Sequence, residues 1–286
     1  MEKSRKNGAI YIVIAAFLWS LNGVLIKYIP WQPMAISGVR AFLSTITLVL
    51  IKGAFDFKFN KHVIFASLSY VSMGILFVYA TKLTTAANAI ILQYTAPIFV
   101  IILSIFFFKK FPTKKQLITV AIAFIGVILF FIDKVGSGAM LGNILAILAG
   151  LGYSGMFIFN SYDDSSALDA SIIGNALIFL ISVPVLLQGN EPALDMAGVF
   201  GIIILGIFQM GISYAFFSKG IETTPSVDAS LISMLEAILN PIWVALVIGE
   251  IPSFVSLIGG GLVLIAVIFN IISSKNEKVT LENNES

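Results

Sequence analysis

The sequence predicts an all-α, polytopic membrane protein with ten transmembrane helices arranged as two inverted five-helix repeats. Three observations predict it. Apolar runs of roughly 20 residues, the length that spans a hydrocarbon core, recur from end to end. Only 11% of the 286 residues are charged and 58% are hydrophobic, which leaves too little charge to cover a water-soluble domain of this size. The second half also repeats features of the first at a nearly constant offset.

Helix 1 is expected over 8–28. Its apolar stretch is too long for a cleavable signal and ends in KYIPW rather than at a small-residue cleavage site, so it reads as a retained span. IPWQP precedes helix 2 (33–51), and helices 3 (62–82) and 4 (86–107) follow. FPTKK separates helix 4 from helix 5 (114–132), and KVGSG leads into helix 6 (139–160). NSYDDSSALD links it to helix 7 (168–187), QGNEP to helix 8 (197–220), TTPS to helix 9 (225–248) and GEIPS to helix 10 (253–273). Glycine and proline in these short linkers are chain breakers. The spans are helices because lipid offers open backbone groups no partners, and the alternation of a barrel strand is absent. The chain thus divides into an N-terminus (1–7), a first repeat (8–134), a second repeat (139–273) and a polar tail (274–286) expected to be disordered.

The basic residues orient the spans. With the N-terminus in the cytoplasm, inner segments hold Lys3, Arg5, Lys6, Lys52, Lys58, Lys61, Lys109, Lys110, Lys114, Lys115, Lys219, Lys275 and Lys278, whereas outer segments hold Lys27, Lys82 and Lys134. Both termini are therefore expected in the cytoplasm. The link between helices 6 and 7 carries acids and no base, and locally opposes this orientation.

A shift of 140 lays TTAANAIILQYTAP (84–97) on TPSVDASLISMLEA (224–237), Lys110-Phe-Pro on Glu250-Ile-Pro and Leu117-Ile on Leu257-Ile. A shift of 134 lays Gly8 on Gly142, Trp19-Ser on Tyr153-Ser and Tyr28 on Tyr162. Five helices is an odd number, so the second copy enters the membrane from the opposite side. Two such copies can exchange conformations and open one site alternately to either face.

In AAFLWSLNGVLIK, VRAFLSTITLVL, ANAIILQYTAPIFVIILSIFFFKKF and DASLISMLEAILNPIWVALVIGEIPSFVSLIGGGLVLIAV, the chain resembles the EamA family of the drug/metabolite transporter superfamily over residues 8–273. The resemblance implies a transporter with a central cavity built from helices 1–4 and 6–9, supported by helices 5 and 10, and export rather than import. The chain departs from the family pattern at Lys110, where an acid often ends helix 4. It departs again at Glu236-Ala237, where Glu-Pro is common in helix 9. Proline follows here at Pro241, which predicts a helix break displaced by about one turn.

Glu236 is the sharpest candidate for substrate binding and for proton coupling. An ionised residue at mid-helix costs roughly 2.5–3.5 kcal/mol on insertion scales and so faces protein or a wet cavity. Asn240 shares its face one turn on, and Pro241 leaves the Ala237 carbonyl without its helical donor. Arg40, about 10 Å from the outer end of helix 2 at 1.5 Å per residue, could hold a substrate carboxylate, pair with Glu236, or snorkel to the interface. Trp19, Asn22, Tyr79, Gln93, Tyr94, Tyr153, Gln209 and Tyr214 complete the candidate set, as stacking walls and hydrogen-bonding groups. Ser20, Asn88, Thr95, Asn160, Asn175 and Ser213 are further polar groups within spans, equally suited to cross-linking helices.

The absence of cysteine excludes disulfides and thiol chemistry, and His62 is the single histidine. No cofactor, metal or nucleic-acid motif occurs, and GYSG (152–155) is not a GxSxG elbow. The expected partners are a small-molecule substrate, the lipid bilayer and a coupling proton. The expectation is a permease for a small polar or amphipathic metabolite, an amino acid or related amine. Efflux of lipophilic cations is the alternative, and an intramembrane lipid enzyme is a more distant one.

Overall fold

The computed structural model describes residues 2–109, 139–224 and 235–251 continuously, with 111, 113–114, 117–118, 121–122, 125–126, 129, 229–230, 232–233, 253–255, 257–262 and 265 besides. Predicted helices 5 and 10 fall largely outside these residues, and the polar tail wholly. The described part is helical without strands. Seven of its helices are long and apolar enough to cross a bilayer: Gly8–Tyr28, Pro33–Lys52, Lys61–Leu83, Ala86–Phe108, Met140–Phe159, Ala167–Leu186 and Met196–Ile221. They match predicted helices 1–4 and 6–8 to within one residue at each end. Helix 9 is described as a shorter helix, Leu235–Ile248.

Local chemistry sets the ends. Pro33 opens helix 2 in its first turn, and Gly53, at φ 69°, closes it in the left-handed conformation that glycine adopts without a Cβ clash. The side chains of Asn60, Thr85, Ser166 and Asp195 cap helices 3, 4, 7 and 8 by accepting the N–H of Val63, Asn88, Asp169 and Gly198.

Among the described residues, four spans are irregular. Helix 1 breaks at Ser20–Leu21 and helix 4 at Tyr94–Thr95, ahead of Pro97. Helix 8 is wound as a π-helix over Ile204–Ile212. In helix 9 the described irregularity is a turn at Ser233, one turn before Glu236, while Pro241 lies inside a continuous helix. The break expected from Pro241 is therefore upstream, because a membrane helix tolerates one missing N–H without ending.

Polar residues are buried and large apolar ones exposed, the reverse of a soluble protein. Ser37, Asn88, Asn143, Asn175 and Asn240 are at most 1% exposed, whereas Leu50, Phe106, Leu180 and Leu246 are more than 60% exposed. This is a multi-pass membrane protein with a lipid-facing apolar surface.

The helices form two groups. Helix 3 packs on helices 6 and 7 and helix 4 on helix 6, giving a bundle of helices 3, 4, 6 and 7. Helix 8 packs on helices 1 and 2 and helix 9 on helix 1, giving a bundle of helices 1, 2, 8 and 9. The bundles meet most extensively where helix 2 touches helix 7, and also where helix 4 touches helix 9. A Cβ on Gly8 would lie 2.2 Å from Thr223 Oγ1 and 2.7 Å from Thr224 Oγ1, and one on Gly142 would lie 2.8 Å from Thr84 N.

The two ends are chemically distinct. At one, Lys52 Nζ lies 2.5 Å from Asp169 Oδ1 and His62 Nδ1 2.6 Å from Asp164 Oδ1, while Asn60 donates to the Asp164 carbonyl. The link between helices 6 and 7 is thus joined to the link between helices 2 and 3 at one end of the bundle, with Asp169 facing the Lys52 charge. At the other end Lys27 Nζ lies 3.1 Å from Glu250 Oε2 and donates to the Thr84 carbonyl. Glu250 Oε1 accepts the Ala86 N–H there, and Lys82 donates to the Ile29 carbonyl.

Candidate functional site

Between the two bundles lies a small cavity of about 20 Å³, lined by Trp19, Asn22, Arg40, Met73, Gly74, Phe77, Gln93, Tyr153, Gln209, Met210, Tyr214 and Glu236. Both ionisable residues singled out in the spans, Arg40 and Glu236, face it from helices 2 and 9. The helix irregularities position its polar groups. The helix 1 break falls between Trp19 and Asn22, and the helix 4 break follows Gln93 and Tyr94. Gln209 and Tyr214 are five positions apart; α-winding would splay them, whereas i→i+5 winding over Ile204–Ile212 helps bring both to the cavity.

Glu236 is 4% exposed. Its Oε1 accepts from Asn22 Nδ2 at 3.0 Å, and Tyr94 Oη lies 2.8 Å from its Oε2. Tyr94 Oη also contacts the Ser233 carbonyl. Asn240, fully buried, donates through Nδ2 to Asn22 Oδ1 at 3.0 Å. Gly23 makes this pairing possible, since a Cβ there would lie 2.3 Å from Asn240 Oδ1.

Arg40, 3% exposed, donates from Nη2 to the Gly74 carbonyl at 2.9 Å, and its Nε has no partner. It forms no ion pair with a described carboxylate. The direct Arg40–Glu236 pair, one of the sequence-based alternatives, is therefore not formed. Snorkelling is also overturned, because the guanidinium is turned inward to a helix carbonyl.

Other buried atoms without a protein partner cluster at the same place: Trp19 Nε1, Gln93 Oε1, Tyr153 Oη and Gln209 Oε1. Buried polar atoms are otherwise almost always paired. Around them Trp19 packs on Tyr153, Tyr214 and Phe217 at ring-centroid distances of 6.1, 4.9 and 5.4 Å. The site offers donors from Arg40, Trp19 and Tyr153 and acceptors from Gln93, Gln209 and Glu236, between aromatic walls.

Of the eleven candidates, eight line the cavity, and Asn240 and Tyr94 sit directly behind it as partners of Asn22 and Glu236. Tyr79 is not in the cavity lining and is half-buried. It lies two residues past Phe77, about 200° around the helix at 100° per residue. The helix 3 lining is Met73, Gly74 and Phe77, with buried Tyr70 behind it accepting from Asn175 Nδ2 at 2.8 Å. The i, i+3, i+4, i+7 stripe 70–73–74–77 carries that signal in the sequence.

Comparison with known proteins assigns the family. The model of the EamA-like transporter family matches residues 6–132 and again 140–272. An uncharacterized transporter of Clostridium kluyveri is 24% identical, with 94% of each chain covered. A probable amino-acid metabolite efflux pump of Escherichia coli K12 is 22% identical, with 96% of this chain and 98% of that one covered. One solved crystal structure superposes with a TM-score of 0.67 at 13% identity, covering 93% of this chain and 97% of the other, a likeness of fold alone. With both halves matched by one family model, the chain belongs to the EamA-like transporter family.

Proposed function

We propose that this protein is a secondary transporter of the cytoplasmic membrane that exports an amino acid, or a related small amine bearing a carboxylate, by alternating access. The observation that carries this reading is Arg40: buried, bonded to one carbonyl, without an ionic partner among the described residues, and facing a cavity that also holds Glu236. A buried ion that lacks its counter-ion costs several kcal/mol. A cargo carboxylate bound by the guanidinium supplies that counter-ion, and Glu236 with the Gln93 and Gln209 oxygens accepts from the cargo ammonium. The name of the Escherichia coli relative supports both the cargo class and the direction.

The cavity of about 20 Å³ admits one or two water molecules. Ligand sites measure roughly 300–1,000 Å³, so cargo is admitted when the two bundles part. Rocking suits the contact pattern. Exchanging helices 1, 2, 3, 4 for 6, 7, 8, 9 maps the contacts 3–6, 2–8, 4–6 and 2–3 onto 8–1, 7–3, 9–1 and 7–8. Repeat-equivalent residues behave alike: Gly8 and Gly142 seat on Thr224 and Thr84, and Ser20 and Ser154 each donate to the carbonyl three residues back at 2.6 Å. These matches support ten helices in two inverted repeats, an even number that puts both termini on one side of the membrane, and the lysine distribution makes that side the cytoplasm. Glu236 is the proton carrier in this reading. Efflux of lipophilic cations draws support from the aromatic walls, but a cation as cargo leaves Arg40 without its counter-ion.

Thermal stabilisation of purified protein by a metabolite library tests the cargo class. A ligand at 100 times its Kd adds about 2.7 kcal/mol. Amino acids are expected to stabilise and lipophilic cations not to; the opposite outcome refutes the reading.

A further inference from the structure

The hydrogens around Tyr94 do not close with an ionised Glu236. Tyr94 Oη faces two oxygens, the Ser233 carbonyl and Glu236 Oε2. A phenol has one hydrogen, and neither a carbonyl nor a carboxylate supplies another. With the acid ionised, one of the two close contacts holds no hydrogen. With Glu236 protonated on Oε2, every contact is filled in one direction: Asn240 Nδ2 to Asn22 Oδ1, Asn22 Nδ2 to Glu236 Oε1, Glu236 Oε2–H to Tyr94 Oη, and Tyr94 Oη–H to the Ser233 carbonyl. The chain runs from helix 9 through helix 1 and back to helix 9, then through the break of helix 4 to the turn of helix 9.

We propose that Tyr94 is a hydrogen switch that reads the protonation of Glu236 and sets the state of the helix 9 turn. While Glu236 holds its proton, the Tyr94 hydroxyl occupies the Ser233 carbonyl. When the proton leaves for water in the cavity, the same hydrogen turns to the carboxylate, a charge-assisted bond, and the carbonyl, which keeps the Glu236 N–H at 3.1 Å, has its second lone pair released to accept from water or from the cargo ammonium. Tyr94 is thereby a positioning residue, consistent with its place behind the cavity wall. The inference rests on the reading of Glu236 as a transport-site acid. Among the described residues, the titratable and charged groups around Glu236 are Arg40 of helix 2, Tyr94 of helix 4, Tyr153 of helix 6 and Tyr214 of helix 8. Tyr153 Oη, which makes no hydrogen bond of normal geometry among the described residues but lies near enough to interact with Tyr94, is the competing candidate for the same role.

Infrared difference spectra of purified protein through a pH titration read the proton directly, with Glu236→Gln identifying the acid C=O band. Wild type is expected to show that band, and Tyr94→Phe to move it to the higher frequency of a less strongly hydrogen-bonded acid. Tyr153→Phe is expected to leave it in place. No Glu236-dependent acid band in wild type at any pH at which the protein is folded overturns the switch, whatever the variants do. A band unmoved by Tyr94→Phe, or moved only by Tyr153→Phe, overturns it as well. Failure of wild type to bind amino acids refutes the functional reading instead and leaves the band test standing.

Discussion

Replacing Arg40 by glutamine separates a cargo-binding guanidinium from a structural one. Among the described residues the side chain makes one hydrogen bond, Nη2 to the Gly74 carbonyl at 2.9 Å, and that carbonyl lies within the continuous helix Lys61–Leu83. Losing it costs about 1.5–3 kcal/mol. Against this, removing a buried cation that has no ionic partner among the described residues recovers several kcal/mol of desolvation. Without cargo, Arg40→Gln is therefore expected to melt at the same temperature as wild type or higher. Cargo binding changes the other way. A charge-assisted bond to a carboxylate is worth about 1.5–3 kcal/mol, which at about 1.4 kcal/mol per decade is a 10- to 150-fold loss of affinity. The loss is confined to ligands with a carboxylate; an amine of the same carbon skeleton lacking that group binds with little change. Equilibrium binding of such a ligand pair to purified wild type and variant, beside a melting curve of each, makes the measurement. A variant that melts well below wild type and loses both ligands equally would refute the argument and make Arg40 a packing residue.

Glu236→Gln reproduces the hydrogen bonds of a neutral acid, its amide donating to Tyr94 and its carbonyl accepting from Asn22, so the variant should remain folded while pH-dependent transport is lost; unchanged uptake across pH would remove Glu236 from the mechanism. Gly23→Ala puts a Cβ 2.3 Å from Asn240 Oδ1 and is expected to cost about 1–3 kcal/mol of stability, read as a lower melting temperature together with impaired transport. Asp169→Asn removes the charge opposite Lys52 and leaves one amide oxygen for two donors, Lys52 Nζ and the Lys58 N–H, at a site where the acid side chain is 4% exposed, and should destabilise by about 1–3 kcal/mol with little dependence on salt. The cysteine-free chain allows single cysteines to report orientation: Gln188→Cys should react with an impermeant thiol reagent from outside intact cells and Asp163→Cys only after permeabilisation, the reverse pattern inverting the proposed topology.

Most of the fold was legible because membrane helices announce themselves by length and hydropathy, and the linkers by their breakers. Glu236 and Arg40 were legible for the same reason, since a charge is conspicuous among apolar neighbours. Backbone winding was not. The π-segment of helix 8 has no proline or charge to mark it, yet it helps bring Gln209 and Tyr214 to one face. Pro241 pointed to a break that lies instead at Ser233, which carries no breaker of its own. Tyr79 was chosen as an aromatic in a span; its neighbours Met73 and Phe77, less polar but on the right face, line the cavity. Residue type located the charged groups, and only helix phase could assign the uncharged wall.

The irregularities are unevenly shared between the bundles, and so is the charge. Three of the four irregular helices, 1, 8 and 9, belong to one bundle, and Arg40 and Glu236 both project from it. The other bundle contributes Met73, Gly74, Phe77, Gln93 and Tyr153, none of them charged at neutral pH. The repeats are duplicates in contact pattern but not in chemistry: helix 1 is broken where helix 6 is continuous, and helix 8 is π-wound where helix 3 is regular. If the bundles rock as bodies, the two charged groups travel together and keep their spacing. A zwitterion held by both stays held through the transition, while the neutral wall slides past it. In the proposed cycle, then, the duplicated fold would supply the motion, and departure from the duplication, concentrated in one bundle, would supply the grip.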